Sequence, residues 1–85
     1  MTCIFVKNLK TIQFNTPFEL VKKLRIAEYP ELISNGQCMA HFAKELNIEI
    51  NTQNERLFLH DLEKLGLVQI KMSLFERYLK KPSII

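Results

Sequence analysis

Two stretches decide the fold: MAHFAKELNI at residues 39–48 and NERLFLHDLEKLGLVQI at residues 54–70. In each, apolar side chains recur every three or four residues, which is typical of a helix with one buried face. The second stretch reaches Gly66, where a left-handed residue can stop a helix, and then alternates as a half-buried strand does. The sequence therefore predicts two short amphipathic helices with a short connection, followed by a strand.

The flanking sequence supplies the remaining elements. Thr16-Pro17-Phe18-Glu19 has the form of a capping box with proline at the first helical position, and Pro30 disfavours helix just before it. Asn35-Gly36 indicates a turn, and the β-rich start indicates a short hairpin or two short strands. The predicted elements are strands within 1–15, helices at 16–29, 37–46 and 52–65, a strand at 67–72, and a short helix or a returning strand at 73–81.

The same spacing predicts which side chains form the core. Helix 52–65 is expected to begin with a second capping box at Thr52 to Glu55 and to bury Phe58, Leu62 and Leu65. The buried faces predicted for the first two helices consist of Leu20, Val21, Leu24, Ala27, Met39, Phe42, Ala43 and Leu46.

Size and composition limit the class of protein. Eighty-five residues with 47% hydrophobic and 25% charged content fit one compact domain, and a net charge of +3 permits a nucleic-acid partner without requiring one. The first ten residues do not read as a secretory signal, and no apolar run is long enough to cross a bilayer, so we expect a cytoplasmic protein. Cys3 and Cys38 are expected to be buried thiols in a reducing compartment, and a disulfide between them is the alternative.

Residues 37–72 resemble the winged helix-turn-helix superfamily. Its members typically carry an alanine in the middle of the second helix, matched here by Ala43, and a Leu-x-x-Leu-x-x-x-Gly-Leu-Val tail on the third, matched by residues 59–68. The resemblance implies an α+β fold with a three-helix core and a small β-sheet, in which 67–72 is the first wing strand. The connector between the two helices departs from the pattern, because it is a few residues longer than the usual turn and lacks a start rich in serine and threonine.

A second resemblance, over residues 45–68, is to the carboxy-terminal domain of phage antirepressors. It is carried by an Asn-x-Arg-Leu-Phe stretch, matched by Asn54 and by Arg56 to Phe58. The basic residue that usually follows in that family is replaced by Glu63. This resemblance implies a phage-derived or plasmid-derived regulator that antagonises a host factor.

The outward face of helix 52–65 is the candidate DNA-reading surface. At about 100° per residue, Gln53, Arg56, His60 and Lys64 fall together, opposite the apolar side chains. Arginine can bond guanine with two hydrogen bonds and glutamine can do the same with adenine, whereas lysine and histidine can reach phosphate.

Further polar residues are expected to contact the phosphate backbone. Asn54 lies beside the start of the helix, where backbone N–H groups favour an anion. Four further basic residues are candidates for contacting the flanking phosphates of the DNA: Lys71 on the following strand, and Arg77, Lys80 and Lys81 beyond it.

Two observations argue against DNA binding by this helix. Any amphipathic helix has a polar outer face, so these side chains can equally be simply solvated. Segment 52–66 also carries three acidic against two basic side chains, whereas DNA affinity depends on neutralising phosphate. Glu55 is expected to be occupied by capping and Asp61 to lie toward the buried side, which leaves Glu63 as the unexplained negative charge.

Other chemistries find little support in the sequence. Cys38 and His41 have suggestive metal-ligand spacing, but no second pair follows and zinc needs about four ligands. There is no glycine-rich phosphate loop and no arrangement of paired carboxylates that would form a cleft. We therefore expect no catalytic residues, no metal, no cofactor and no enzyme activity.

The predicted function is that of a small DNA-binding transcriptional regulator that reads the major groove of double-stranded DNA with helix 52–65. A homodimer on a two-fold site is expected, because one domain contacts few base pairs. Its interface is expected to use spare apolar residues near the ends of the chain, such as Phe5, Phe14, Phe75, Tyr78, Ile84 and Ile85. The alternative is a winged-helix protein-interaction module, or a phage-derived or plasmid-derived regulator, that binds a protein partner instead.

Overall fold

The computed structural model describes residues 1–72 and confirms an α+β fold with three helices and a small antiparallel sheet. The predicted element at 73–81, with Arg77, Lys80 and Lys81, lies outside the described residues. The elements in chain order are β1 Thr2–Phe5, β2 Thr11–Gln13, α1 Pro17–Glu28, α2 Asn35–Leu46, α3 Glu55–Lys64 and β3 Val68–Lys71.

The sheet has the strand order β2-β1-β3, with both pairs antiparallel. β1 and β2 form the predicted hairpin, whose turn is held by the Asn8 side chain accepting from the Lys10 N–H at 3.0 Å. β3 returns from α3 to pair with the other side of β1, so that Phe5 lies opposite Val68 and Thr2 opposite Lys71. β1 therefore lies between β2 and β3 and joins the segment that follows α3 to the hairpin.

The predicted start and end of α1 are both confirmed. The Thr16 hydroxyl accepts the Glu19 N–H at 3.1 Å, and the Glu19 carboxylate accepts the N–H of Asn15, one residue before the cap. Glu19 also pairs with Lys23 one turn later, at 3.5 Å. The helix ends at Glu28, two residues before Pro30.

The predicted turn at Asn35-Gly36 is wrong, because both residues lie in the first turn of α2. Ser34 provides the cap, and its hydroxyl accepts the Gln37 N–H at 3.1 Å. The helix consequently begins two residues earlier than 37, and it ends at Leu46 as predicted, with Asn47 in the left-handed conformation.

The predicted capping box at Thr52 is also wrong, and α3 begins three residues later than expected. Its cap is Asn54, whose side-chain oxygen accepts the Leu57 N–H at 2.8 Å. The preceding residues form a separate turn, in which the Asn51 side chain accepts the Gln53 N–H at 2.9 Å. At the other end, Gly66 has a φ of +76°, as the predicted stop requires.

The helices cover one face of the sheet and enclose a single apolar core. Its buried members are Cys3, Phe5, Phe14, Leu20, Val21, Leu24, Cys38, Met39, Phe42, Phe58, Leu59, Leu62 and Val68. Two core predictions are wrong: Ala27 is exposed, and Leu65, at the C-cap of α3, is 54% exposed. Phe5 and Phe14 belong to this core and cannot form the dimer contact expected of them. The other residues expected in that contact lie outside the described residues: Phe75, Tyr78, Ile84 and Ile85.

Within residues 1–72, no helix combines the length and apolar character needed to cross a membrane. The three helices are short, and charged side chains interrupt each of them.

Asn35 is the polar residue that joins the three helices. It is buried, and its side-chain N–H group donates to the Phe18 carbonyl at the start of α1, at 3.2 Å, and to the Glu55 carboxylate at the start of α3, at 3.0 Å. Its oxygen accepts from the Arg25 Nε at 3.3 Å, and Arg25 also donates to the Leu32 carbonyl at 3.0 Å. One side chain of α2 therefore fixes the starts of both neighbouring helices.

Both cysteines are free and buried. Burial raises the pKa of the Cys3 thiol to about 12, and the nearby negative charge of Glu63 adds to the increase. Burial likewise raises the pKa of the Cys38 thiol to about 11, although Arg25 opposes the increase. The two thiols therefore serve as small apolar core groups rather than as nucleophiles.

Replacing Asn35 by alanine is expected to lower the free energy of unfolding by about 1–3 kcal/mol, because Arg25 and Glu55 lose a partly buried partner. Urea denaturation followed by circular dichroism measures the change. The matched control is Gln37→Ala, which removes a surface hydrogen bond to the Ile33 N–H and is expected to cost about 0.5 kcal/mol. Equal midpoints for the two variants would contradict the joining role of Asn35.

The folded chain is expected to resist thiol reagents at pH 8, because the thiolate is the reacting form and both pKa values lie far above that pH. Labelling with a chromogenic disulfide reagent should be negligible in native buffer and should reach both cysteines in urea. Rapid labelling of either thiol in native buffer would show that the core opens readily.

Candidate nucleic-acid interface

A row of three polar side chains runs along the outward face of α3. Arg56, His60 and Lys64 follow one another at intervals of one turn and are all exposed, because Phe58 and Leu62 take the opposite, buried face. Within residues 1–72, none of the three makes a hydrogen bond or an ion pair through its side chain. The row is therefore available to a partner as far as the described chain is concerned.

Gln53 and Asn54 do not belong to this row. Because α3 begins at Glu55, Gln53 lies before the cap and its side chain is not placed by the helical repeat. The Asn54 side chain is engaged with the Leu57 N–H, which satisfies one of the first-turn donors that were expected to attract phosphate. The predicted set of reading residues on the helix thus contracts to Arg56, His60 and Lys64.

An open groove lies where α3 meets the start of α1. Its lining residues are Pro17, Asn54, Arg56, Leu57, Leu59, His60 and Glu63. Two members of the polar row, Arg56 and His60, thus share the groove with the apolar Pro17, Leu57 and Leu59. Pro17 and Leu57 are not among the site residues predicted from the sequence, although the exposed position of Leu57 follows from the helical spacing.

Lys71 is separated from this groove. It pairs with Thr2 at the end of β3 and lines a different depression, together with Lys23 and Glu19 among others. Lys23 is itself engaged there, since its ammonium donates to the Gln13 carbonyl at 2.7 Å. The structure therefore does not bring Lys71 together with Arg56 and His60.

The acidic side chains of α3 differ in where they point. The Glu55 carboxylate accepts a hydrogen bond from the Asn35 side chain, so it is not the capping group that was expected. The Asp61 carboxylate accepts the Asn51 N–H at 2.8 Å on the inner side of the helix, in agreement with its predicted inward position. Glu63 alone among them is exposed in the groove. The outward face thus presents two permanent cations, one histidine and one carboxylate.

The connector between α2 and α3 is well fixed despite its length. The Ile48 N–H donates to the Ala43 carbonyl at 3.1 Å, closing the end of α2. Ile48 and Ile50 pack partly buried against the core, and the Asn51–Asp61 bond ties the far end of the connector to α3. The extra residues therefore hold α3 in place as an ordered segment.

A second group of titratable side chains lies on α2. His41 pairs with Glu45 at 3.0 Å, and its ring meets the edge of the Tyr29 ring with centroids 4.7 Å apart. Burial and the neighbouring Glu45 raise the pKa of Tyr29 to about 12. Cys38 is buried whereas His41 is exposed, and residues 1–72 contain no group of three metal-ligating side chains.

Comparison with known proteins adds no identification. The chain matches no family model, no curated protein and no solved structure. Any function inferred for it therefore depends on its own residues and on their arrangement around α3.

Proposed function

We propose that the protein is a small DNA-binding transcriptional regulator of the winged helix-turn-helix type, which reads the major groove with α3. The observation that carries this proposal is the exposed row of Arg56, His60 and Lys64 along a helix whose other face is buried. The contact of α1 with both α2 and α3, and the return of β3 to the sheet directly after α3, support the winged-helix assignment.

The diameter of an α-helix suits a major groove, because a helix with its side chains is about 10–12 Å across and the groove is about 12 Å wide. Arg56 and Lys64 are separated by about 12 Å along the helix axis. The first residues of a recognition helix usually contact base edges, which gives Arg56 the role of bonding guanine. His60 lies in the middle of the row, and Lys64 at the far end is placed to bond phosphate.

Selective binding by one such domain requires a second copy. A single recognition helix covers few base pairs, so a homodimer on a two-fold site, with half-sites about 34 Å apart, is part of the proposal. A cytoplasmic location is part of it as well, and the two free, buried thiols support a reducing compartment.

A second candidate function is favoured by the apolar wall of the groove. Pro17, Leu57 and Leu59 are the apolar residues that line the groove. In a winged-helix interaction module, or a phage-derived or plasmid-derived regulator, this wall would bind a protein partner without nucleic acid. Measuring affinity at two salt concentrations separates the candidates, since DNA binding weakens steeply with salt and apolar protein binding does not.

Replacing Arg56 by alanine is expected to weaken binding to a preferred duplex about 5-fold to 150-fold, since a bidentate base contact is worth about 1–3 kcal/mol. The preferred duplex is first selected from a random library with the full chain, and affinity is then measured by fluorescence anisotropy at 50 and 200 mM salt. Arg56→Lys keeps the charge but loses the geometry for two paired hydrogen bonds to one base. It should therefore restore the affinity for random duplex that Arg56→Ala loses, but it should not restore sequence preference.

The charge-matched control is Lys7→Ala, an exposed cation in the hairpin turn, which should leave the preference unchanged. Thermal unfolding of each variant checks that the fold is intact. Arg56→Ala binding every duplex as tightly as the wild type would rule out base reading by this residue.

Replacing Glu63 by glutamine is expected to strengthen binding to random duplex by about twofold to fivefold at 50 mM salt, because one repulsive charge beside the phosphates is removed. The gain should shrink at 200 mM salt as screening increases. Glu49→Gln, an exposed carboxylate in the connector, is the matched control. An equal gain for both variants would show that only net charge matters and that the groove does not face DNA.

A further inference from the structure

Leu57 is a large apolar side chain on the outward half of α3. It is 39% exposed, whereas the other aliphatic side chains of the helix, Leu59 and Leu62, are buried with Phe58. Leu57 follows Arg56 directly and lies one turn before His60 and two turns before Lys64. An aliphatic group therefore lies directly beside the polar row.

The position of Leu57 is fixed by the start of the helix. Its N–H donates to the cap oxygen of Asn54 at 2.8 Å, so the first turn of α3 is closed at this residue. The Asn35–Glu55 bond holds the same turn against α1 and α2. Leu57 is thus presented on a rigid first turn, the part of a recognition helix that usually meets base edges.

On the basis of the proposed DNA-reading role of α3, we propose that Leu57 reads the 5-methyl group of a thymine next to the guanine bonded by Arg56. Thymine is the base that displays an apolar methyl group in the major groove, and a leucine side chain can neither donate nor accept a hydrogen bond. Pro17 and Leu59 line the same groove as Leu57.

The recognised element is therefore a guanine and a thymine at adjoining base pairs. Arg56 supplies preference for guanine through paired hydrogen bonds, and Leu57 supplies preference for thymine over cytosine through contact with a methyl group that cytosine lacks. Burial of one methyl group is worth a factor of about four in affinity at 25 °C.

The test uses the full chain and a duplex selected from a random library. Each thymine of the selected site is replaced in turn by deoxyuridine, which keeps base pairing and removes only the methyl group. We expect one replacement, next to a guanine, to weaken wild-type binding about fourfold. Leu57→Ala should bind the thymine and deoxyuridine duplexes equally, whereas Leu65→Ala, which changes an exposed leucine at the end of the same helix, should keep the fourfold difference.

The outcomes separate this inference from the proposed function. A selected site without a thymine beside a guanine, wild-type binding indifferent to every deoxyuridine replacement, or a fourfold difference retained by Leu57→Ala would overturn the role of Leu57 and leave DNA binding intact. A library that yields no preferred duplex would overturn sequence reading by α3 and the methyl contact with it. Thermal unfolding confirms that both leucine variants are folded.

Discussion

The arrangement of α3 depends on the bonds of one buried amide. Apolar packing turns the face of α3 that carries Phe58 and Leu62 inward, but it is not directional, so it leaves the exact rotation of the helix loosely fixed. Asn35 adds direction, since its hydrogen bonds to the Phe18 carbonyl and to the Glu55 carboxylate tie α2 to the first turns of both other helices. The bond to Glu55 limits the rotation of α3, and together with the burial of Phe58 and Leu62 it keeps Arg56 directed outward.

The elements that depend on local chemistry could be predicted from the sequence. The start of α1 at Thr16, its end before Pro30 and the stop at Gly66 all rest on neighbouring residues. The start of α2 could not be found this way, because Asn-Gly favours a turn locally, whereas Ser34 caps the helix and Asn35 gains distant partners. The start of α3 was misplaced since Thr52 and Asn54 can both cap, and tertiary bonds to the connector decide between them.

The candidate site could be predicted in part for the same reason. The row of Arg56, His60 and Lys64 depends only on the helical repeat, so an error in the start of the helix does not disturb it. Gln53 was predicted to belong to the row because the predicted helix starts at 52, three residues before the observed start at Glu55. Leu57 was passed over because a division into polar and apolar faces gives an exposed leucine no role, and the separation of Lys71 from the groove depends on strand pairing that no local pattern reveals.

The sign of the charge on α3 is less informative than its distribution. Glu55 and Asp61 make the segment acidic in total, yet both are hydrogen-bonded away from the outward face, where Arg56 and Lys64 outnumber Glu63. Exposed charges act mainly within about 10 Å in salt, so a partner at this face meets a weakly positive surface. A weak field gives little affinity for random DNA, and selective binding then has to come from base contacts and from a second copy of the helix. The small charge of α3 therefore constrains how the proposed regulator would work without excluding DNA as its partner.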